Sequence, residues 1–345
     1  MTPRERWLAV LHGQRPDRIP MDYWATTEAT QRLQTHLGVT SERAMLERLH
    51  IDRPLTVGPA YVGPVPAEGE DIYGCRHRIV DYGTGTYSEC TFHPLAAYSS
   101  VAEIEARYHW PEPDWYDYGG LPAQLLGWEE YPVRGGGSEP FLIYKKLRGQ
   151  EQSFIDLIEH PDIVDFCLDR LFALAHENTT RIFEALPSRV DISYVAEDMG
   201  GQEGLMLSLA HLRRFILPRM RNMVELVHSA GALAFFHSDG AIRDVLPDMI
   251  DMGMDVLNPI QWRCSGMERE GLKRDFGERL IFHGGVDNQQ TLAFGTPADV
   301  RAEVAENLRI LGAGGGYILA PCHNIQAISP PENVVALYEA GLEMG

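Results

Sequence analysis

The sequence predicts a (β/α)8 TIM-type barrel as the fold class, with an N-terminal helical extension and an inserted hairpin and loop region. Eight apolar runs of strand length occur along the chain, and most are separated by segments with apolar residues at helical spacing. The clearest runs end in polar side chains, as strands do at the C-terminal face of such barrels. No glycine-rich phosphate turn follows the first run, which argues against a doubly wound open sheet.

The predicted elements alternate along the chain at the spacing of a barrel. Thr2 and Glu5 form a capping box with Pro3 at the first helical position, so a helix precedes the first strand. The predicted strands are 18–24, 53–58, 131–137, 191–197, 233–239, 255–261, 279–287 and 317–322. The clearest helical stretches are 154–186, which Pro161 interrupts, 211–230 and 242–252. No linker divides residues 1–345, so we expect a single domain.

An insertion rich in Gly, Pro and aromatic residues occupies about 60–118. Within it, 72–91 alternates weakly between apolar and polar residues and carries turn-forming residues at 81–86, DYGTGT. This pattern predicts a β-hairpin outside the main sheet. A lid, a dimer contact and a docking surface are all compatible with its composition.

Composition and charge exclude several classes of partner. The chain of 345 residues has 30 basic and 49 acidic residues and a formal net charge of −19, which disfavours nucleic acid and anionic membranes. Five scattered cysteines are too few for a disulfide framework in a chain of this size. No signal peptide or long apolar segment is visible, so we expect a cytoplasmic protein that acts on a small-molecule substrate.

Polar side chains collect at the predicted strand ends. In LAFFHSDG, 233–240, the apolar run stops at His237 and Asp239, whose spacing in an extended chain directs both toward one cavity. The last run ends at Cys322 in the same way. The candidate site residues are Tyr23, Trp24, Glu197, Asp198, His237, Asp239, Asn258, Gln261, His283, Asp287, Cys322, His323 and Asn324.

His237, Asp239 and Cys322 form a candidate zinc set, because zinc accepts imidazole, carboxylate and thiolate ligands together. Glu197 is the candidate to fill or approach a fourth position. Metal-free acid–base chemistry by Glu197, Asp198, His237 and Asp239 is a second interpretation. In a third, Cys322 is a small buried apolar residue beside a hydrogen-bonded His237.

Four segments resemble the uroporphyrinogen decarboxylase-like superfamily. They are ERWLAVLHGQRPDRIPMDYW, FHSDGAIRDVLPDMIDMGMDVLNPIQ, FHGGVDNQQTLAFGTPADVRAEV and APCHNIQAISPPENVVALYEA, which together span nearly the whole chain. The resemblance implies a (β/α)8 fold. It also implies one of two activities, tetrapyrrole decarboxylation or methyl transfer with corrinoid proteins.

The chain resembles the methyltransferase branch more closely. The decarboxylases have an Arg- and Gly-rich segment after the first strand and an aspartate at the end of an early strand, whereas this chain has ATTEATQRLQ and VGPAYVGP. Zinc-dependent methyltransferases have His-x-Cys at the fifth strand and a Cys near the last. This chain matches them at His237 and Cys322 and departs at Asp239.

The resemblance therefore implies a methyltransferase that moves a methyl group between a corrinoid carrier protein and a thiol or tetrahydrofolate-type pterin, with or without zinc. The cobalamin would reside on the partner, because this chain lacks the corrinoid-binding Asp-x-His-x-x-Gly motif. The residues expected to bind substrate are Tyr23, Trp24, Asn258, Gln261, His283, Asp287, His323 and Asn324. A decarboxylase acting on a tetrapyrrole or another carboxylated substrate is the alternative, and a non-catalytic scaffold is a third class. A homodimer is compatible with each.

Overall fold

The computed structural model describes residues 1–81, 83 and 85–345, and its central element is a curled parallel sheet. The strands are β1 (Leu55–Val57), β2 (Ala60–Tyr61), β3 (Arg76–Asp81), β4 (Thr86–Phe92), β5 (Tyr116–Asp117), β6 (Val133–Ser138), β7 (Ile192–Ala196), β8 (Leu233–His237), β9 (Val256–Asn258), β10 (Ile281–Val286) and β11 (Tyr317–Pro321). The sheet runs in the order β1-β6-β7-β8-β9-β10-β11, and each neighbouring pair is parallel.

The segment around Met21 closes the barrel between β11 and β1. Met21 forms a parallel bridge with Leu319 of β11. On its other side, the backbone N–H of Asp52 donates to the Met21 carbonyl at 2.7 Å. The predicted strand 18–24 is thus a short paired segment and not a regular strand, and Pro20 contributes to this because it has no N–H to donate. The predicted (β/α)8 TIM-type fold is confirmed.

Helices surround the sheet. They are α1 (Pro3–Leu11), α2 (Thr27–Leu37), α3 (Glu42–Arg48), α4 (Val101–Arg107), α5 (Leu121–Gln124), α6 (Pro140–Arg148), α7 (Gln150–Glu159), α8 (Pro161–Ala185), α9 (Leu209–His211), α10 (Leu217–Ser229), α11 (Leu246–Met252), α12 (Arg269–Phe276), α13 (Thr291–Phe294), α14 (Pro297–Ile310) and α15 (Pro331–Met344). The predicted helix 154–186 is divided at Pro161, where α8 begins. The predicted helix 211–230 starts within α9, passes through a π-helical turn and continues as α10. In the part of the chain described, no helix is both long and apolar enough to span a bilayer.

Helix α1 covers the N-terminal end of the barrel. Its capping box is formed as predicted, since Thr2 Oγ1 accepts the Glu5 N–H and the Glu5 carboxylate accepts the Thr2 N–H. The apolar face of the helix places Trp7 against Phe235 and Ile318, which point into the barrel. Full burial of a large apolar side chain such as Trp7 stabilises a fold by about 1.5–3 kcal/mol. This helix therefore closes the end of the barrel opposite the strand C-termini.

The insertion leaves and rejoins the barrel at adjacent points. Its first strand, β2, pairs antiparallel with its last, β5. Between them, β3 and β4 form the predicted antiparallel hairpin outside the barrel sheet. The positions 82 and 84 of the predicted turn lie outside the described residues. Cys75, Leu95 and Ile104 are buried in the main core, so the insertion packs firmly on the barrel helices.

A buried ion pair connects the insertion to α6 and α7. Arg148 donates from Nε and Nη2 to the two carboxylate oxygens of Asp156, at 2.7 and 3.0 Å. Its Nη1 donates to the carbonyl oxygens of Leu95 and Tyr98, at 2.6 and 2.8 Å. Both charged side chains are almost completely buried. One guanidinium thus satisfies a carboxylate from α7 and two backbone carbonyls of the insertion.

Candidate active site

A cavity of about 580 Å³ lies between the 22–25 segment, β1, β6 and β7. Its lining residues come from several strands and from the segments that follow them. They are Asp22, Tyr23, Trp24, Ala25, Arg53, Pro54, Leu55, Thr56, Val57, Arg134, Gly135, Gly136, Tyr194 and Asn324. Trp24 and Tyr194 in its wall contact His237 at the C-terminal end of β8, the face where barrel enzymes carry their active sites.

His237, Asp239 and His323 form a candidate metal centre beside this cavity. One ligand atom from each lies within 4.8 Å of the other two. His237 is the last residue of β8, and Asp239 follows two residues later toward the same space, as the sequence predicts. The Nε2 atom of His323 is 3.5 Å from Oδ2 of Asp239. Two imidazoles and a carboxylate form a donor set that zinc accepts, and three protein ligands leave a position for substrate.

Cys322, which the sequence predicts as a metal ligand, lies outside this group. Its Sγ donates to the carbonyl oxygen of Ile260 at 3.1 Å. Burial raises the pKa of the Cys322 thiol well above its ordinary value. The strand β11 ends at Pro321, so strand alternation does not determine the direction of the side chains that follow. His323, predicted to bind substrate, occupies the place expected for the thiol.

A chain of hydrogen bonds extends from His237 into the barrel. His237 Nδ1 lies 2.6 Å from Oδ1 of Asn258 on the neighbouring strand β9. Asn258 Nδ2 lies 2.7 Å from Nδ1 of His283 on β10. His283 Nε2 in turn lies 2.9 Å from Oδ2 of Asp22. All four side chains are buried, so each donor and acceptor in this chain needs its partner.

This chain fixes the ring orientation of His237. Burial acts to raise the pKa of Asp22, but the hydrogen bond from His283 and the positive charges of His283 and Arg134 lower it below its ordinary value. The Asn258 amide nitrogen faces Nδ1 of His283, and its oxygen faces Nδ1 of His237. With a neutral His283, this arrangement places the proton of His237 on Nδ1 and leaves Nε2 as the atom that binds a metal or accepts a proton.

Further carboxylates surround the two imidazoles of the cluster. Asp198 Oδ1 lies 3.7 Å from Nε2 of His237 and also accepts the backbone N–H of Asp239 at 3.2 Å. Burial raises the pKa of Asp239, while His323 and His237 act to lower it. Burial likewise raises the pKa of Glu139, against the lowering effect of His237. This concentration of acidic groups favours a bound cation.

Glu197 is occupied elsewhere. Its two carboxylate oxygens accept the backbone N–H groups of Phe141 and Leu142, at 2.6 and 3.3 Å, in the first turn of α6. Burial raises the pKa of Glu197 well above its usual value despite these hydrogen bonds. The side chain anchors the start of α6, a role different from the catalytic one that the sequence predicts.

Gln261 and Asp287 hold loops at the rim of the site. Gln261 Oε1 accepts the backbone N–H of Gly240 at 2.8 Å and so fixes the turn after Asp239. Gly240 has φ +86°, and a Cβ there would lie 2.5 Å from a backbone oxygen, so the turn requires glycine. Asp287 pairs with Nε of Arg263 at 2.6 Å and accepts backbone N–H groups of the loop that follows.

Aromatic rings separate the cavity from the His237 cluster. Trp24 stacks on His237, with ring centroids 5.7 Å apart, and its indole N–H donates to Asp22 at 2.8 Å. Tyr194 contacts His237 at a similar distance. Tyr23 and Asn324 line the cavity as well, but the Tyr23 hydroxyl bonds to Thr30 on α2.

Several charged or aromatic residues of this site were not predicted from the sequence. They include Asp22, Arg53, Arg134, Glu139 and Tyr194. Asp22 and Arg134 could have been identified from the sequence, because each is a charged residue within a short apolar run that predicts a buried strand. Nothing comparable distinguished Glu139 or Tyr194.

Residues 126–343 match the family model described as uroporphyrinogen decarboxylase (URO-D). The chain belongs to the URO-D family. The matched region covers more than half of the chain and contains β6 to β11 together with the metal candidates His237, Asp239 and His323. This URO-D family chain is therefore a member of an enzyme family.

Two curated relatives match this chain over part of their length. Uroporphyrinogen decarboxylases of Neisseria meningitidis serogroup C and Pseudomonas aeruginosa are 27% and 26% identical to it over 219 and 220 residues. Each alignment covers 62% of this chain and 55% of the relative, so the chain spans about half the length of the curated relatives it matches. A methyltransferase from Methanosarcina mazei shares the fold across 99% of both chains, with a TM-score of 0.68 and 20% identity.

Proposed function

We propose that this protein is a methyltransferase that moves a methyl group between a corrinoid carrier protein and a small acceptor, either a thiol or a tetrahydrofolate-type pterin. The observation that carries the proposal is the His237–Asp239–His323 cluster at the barrel mouth, where Asn258 holds Nδ1 of His237 and Nε2 faces Asp198. The Methanosarcina mazei protein of the same fold is named a methyltransferase. The curated relatives are named decarboxylases, so the site chemistry must decide between the two activities.

The residues of the cluster fit zinc. His237, Asp239 and His323 would hold the ion, and the hydrogen-bond chain through Asn258 gives His237 the support that zinc-bound histidines commonly have. When bound, zinc would lower the pKa of an acceptor thiol or of water and so supply a nucleophile at neutral pH. A set without thiolate is harder than the His-x-Cys pattern and favours nitrogen and oxygen ligands.

The side chains around the cluster have defined roles in the proposed transfer. The acceptor sulfur or pterin nitrogen gives its proton to Asp198, which lies 3.7 Å from His237 Nε2. The electron pair on that acceptor atom forms the new bond to the methyl carbon. The methyl group leaves the carrier without the electron pair of the broken bond, which stays on the carrier. Trp24 covers one face of the His237 ring and limits the access of water to it.

Metal content and methyl transfer, measured on the same preparation, test this proposal. We expect near-stoichiometric zinc by plasma mass spectrometry. With a methylated corrinoid carrier, addition of a thiol or tetrahydrofolate is expected to change the cobalamin absorption spectrum only when the protein is present. Absence of any spectral change, together with carbon dioxide release from a porphyrinogen, would contradict the proposal and favour the decarboxylase.

The decarboxylase remains the second candidate because Arg53 and Arg134 line the cavity and suit a carboxylated substrate. A tetrapyrrole with eight carboxylates would need more cations than the described lining supplies. A smaller carboxylic acid is the better match for this alternative.

The hydrogen-bond chain predicts that Asn258→Leu weakens zinc binding by about 10–100-fold, the usual effect of losing such a supporting contact. The variant removes the Asn258 oxygen that lies 2.6 Å from His237 Nδ1 and so frees the imidazole to rotate or change tautomer. Titration with a competing chelator measures the affinity. Asn222→Leu on the exposed face of α10 serves as the matched control. Wild-type affinity in Asn258→Leu would show that the chain does not support the metal.

A further inference from the structure

Asp22 is a buried carboxylate that joins two parts of the candidate site. Its Oδ2 atom accepts the indole N–H of Trp24 at 2.8 Å and lies 2.9 Å from Nε2 of His283. Its Oδ1 atom accepts the backbone N–H of Tyr23 at 2.7 Å. The whole residue is almost completely buried. One oxygen of one carboxylate therefore contacts both an indole and an imidazole.

The backbone of Asp22 fixes the place of this carboxylate. Its N–H donates to the carbonyl oxygen of Leu319 on β11 at 2.9 Å, and its own carbonyl accepts the hydroxyl of Tyr338 on α15 at 2.9 Å. Both of these neighbours are buried. A carboxylate held in this way is a rigid point from which other side chains are oriented.

Two separate routes lead from Asp22 to the imidazole of His237. The first is Trp24, whose ring stacks on His237 with centroids 5.7 Å apart and an interplanar angle of 28°. The second passes through His283 and Asn258. Nδ1 of His283 lies 2.7 Å from the Asn258 amide nitrogen, and the Asn258 oxygen lies 2.6 Å from Nδ1 of His237. Asp22 thus acts on both the face and the edge of the His237 ring.

We propose that Asp22 is a positioning residue for the candidate metal cluster, and that it sets the direction of the hydrogen-bond chain that ends at His237. An ionised carboxylate only accepts hydrogen bonds, so a neutral His283 beside it carries its proton on Nε2. Nδ1 of His283 then accepts from the Asn258 amide, and the Asn258 oxygen accepts the proton on Nδ1 of His237. Nε2 of His237 is left without a proton. The inference rests on these hydrogen bonds and applies to any reaction at the cluster.

Long-range proton–nitrogen NMR correlation, recorded on the full chain labelled at the histidine ring nitrogens, shows these protonation sites directly. At about pH 8, where an ordinary imidazole is neutral, we expect a proton on Nδ1 of His237 and on Nε2 of His283. Signals that disappear in His237→Ala and in His283→Phe are thereby assigned. A proton on Nε2 of His237, or protons on both ring nitrogens of His283, would overturn the inference from the wild type alone.

Asp22→Asn keeps the shape of the side chain but replaces one acceptor by a donor. In either orientation, the amide nitrogen meets a donor, which is the Tyr23 N–H in one and the Trp24 indole in the other. With the amide nitrogen toward His283, that imidazole has to accept at Nε2, and the direction of the chain reverses through Asn258. The variant thus removes the single direction that the carboxylate imposes.

We expect Asp22→Asn to populate the Nε2-protonated form of His237 and to weaken zinc binding by about 10–100-fold. Asp162→Asn, at an exposed position of α8, is the control and should match the wild type in both measurements. Wild-type protonation of His237 in folded Asp22→Asn would overturn the inference, and if this variant does not fold, the wild-type spectrum decides alone. If the wild type binds no zinc but shows the expected protonation sites, the proposed zinc site is refuted and the positioning role of Asp22 stands.

Discussion

Replacement of His237 by alanine is expected to reduce bound zinc from near-stoichiometric to background and to slow methyl transfer by roughly a thousandfold. The variant removes one of the three candidate ligands, whose ring is held in place by Asn258 and, through Asn258, by His283. Loss of the metal removes several kcal/mol of electrostatic stabilisation of the reacting atoms, and about 4 kcal/mol corresponds to that factor. Plasma mass spectrometry and the cobalamin spectrum measure the two effects.

Two further variants test whether the loss of zinc and activity is specific to His237. His36→Ala changes an exposed histidine on α2 and should leave zinc and activity unchanged. Cys322→Ala should also retain zinc, because the Cys322 thiol bonds to the Ile260 carbonyl and does not face the cluster. Full zinc content in His237→Ala, or its loss in Cys322→Ala with His323→Ala unaffected, would contradict the ligand set proposed from the structure.

Asp156→Asn is expected to lower the free energy of unfolding by about 3–5 kcal/mol at pH 7, the usual cost of breaking a buried ion pair. The change leaves the Arg148 guanidinium buried without its carboxylate, at the point where it also holds two carbonyls of the insertion. Urea unfolding followed by circular dichroism measures the difference. Asp251→Asn alters an exposed carboxylate on α11 and should unfold as the wild type. A loss of stability no larger in Asp156→Asn than in this control would contradict the prediction.

The same carboxylate predicts a pH dependence of stability. Burial acts to raise the pKa of Asp156, but hydrogen bonds from Arg148, Tyr144 and Gln152 lower it below its ordinary value. A carboxyl whose pKa is depressed in the folded state stabilises the fold above its unfolded pKa of about 3.9, and this contribution is lost as the pH falls further. The unfolding free energy should therefore decrease less steeply below pH 4 in Asp156→Asn than in the wild type. Parallel pH profiles would show that Asp156 does not retain a depressed pKa.

The sequence predicts those parts of the site whose residues lie at the end of one strand. The run LAFFHSDG places His237 and Asp239 two residues apart at a strand end, and this spacing alone directs both to one space. The barrel followed from the same logic, because buried parallel strands read as apolar runs with polar residues after them. The least accurate part of the strand prediction is 18–24. This segment completes the barrel through the pairing of Met21 with Leu319 and with Asp52, and not through a regular strand pattern in its sequence.

What sequence could not predict depends on contacts between strands. Asn258 bonds to His237 because the two residues are in register across β8 and β9, and register between strands distant in the chain is not visible in either strand alone. In the candidate metal cluster, His323 takes the place predicted for Cys322, because the chain leaves the strand at Pro321. The surroundings of Arg134 also depend on contacts between elements, because its Nε donates to Thr56 of β1 and its guanidinium lies beside the rings of Trp24 and Tyr194.

The antiparallel pairing of β2 with β5 has a consequence for how this protein and its relatives diverge. Residues 60–61 and 116–117 lie side by side. The segment between them can therefore be replaced by a different segment without altering the register of any barrel strand. A replacement must supply apolar groups in place of Cys75, Leu95 and Ile104 and carbonyls for Arg148. With those conditions met, the outer surface can adapt to a new partner while the His237 cluster at the barrel mouth remains constant.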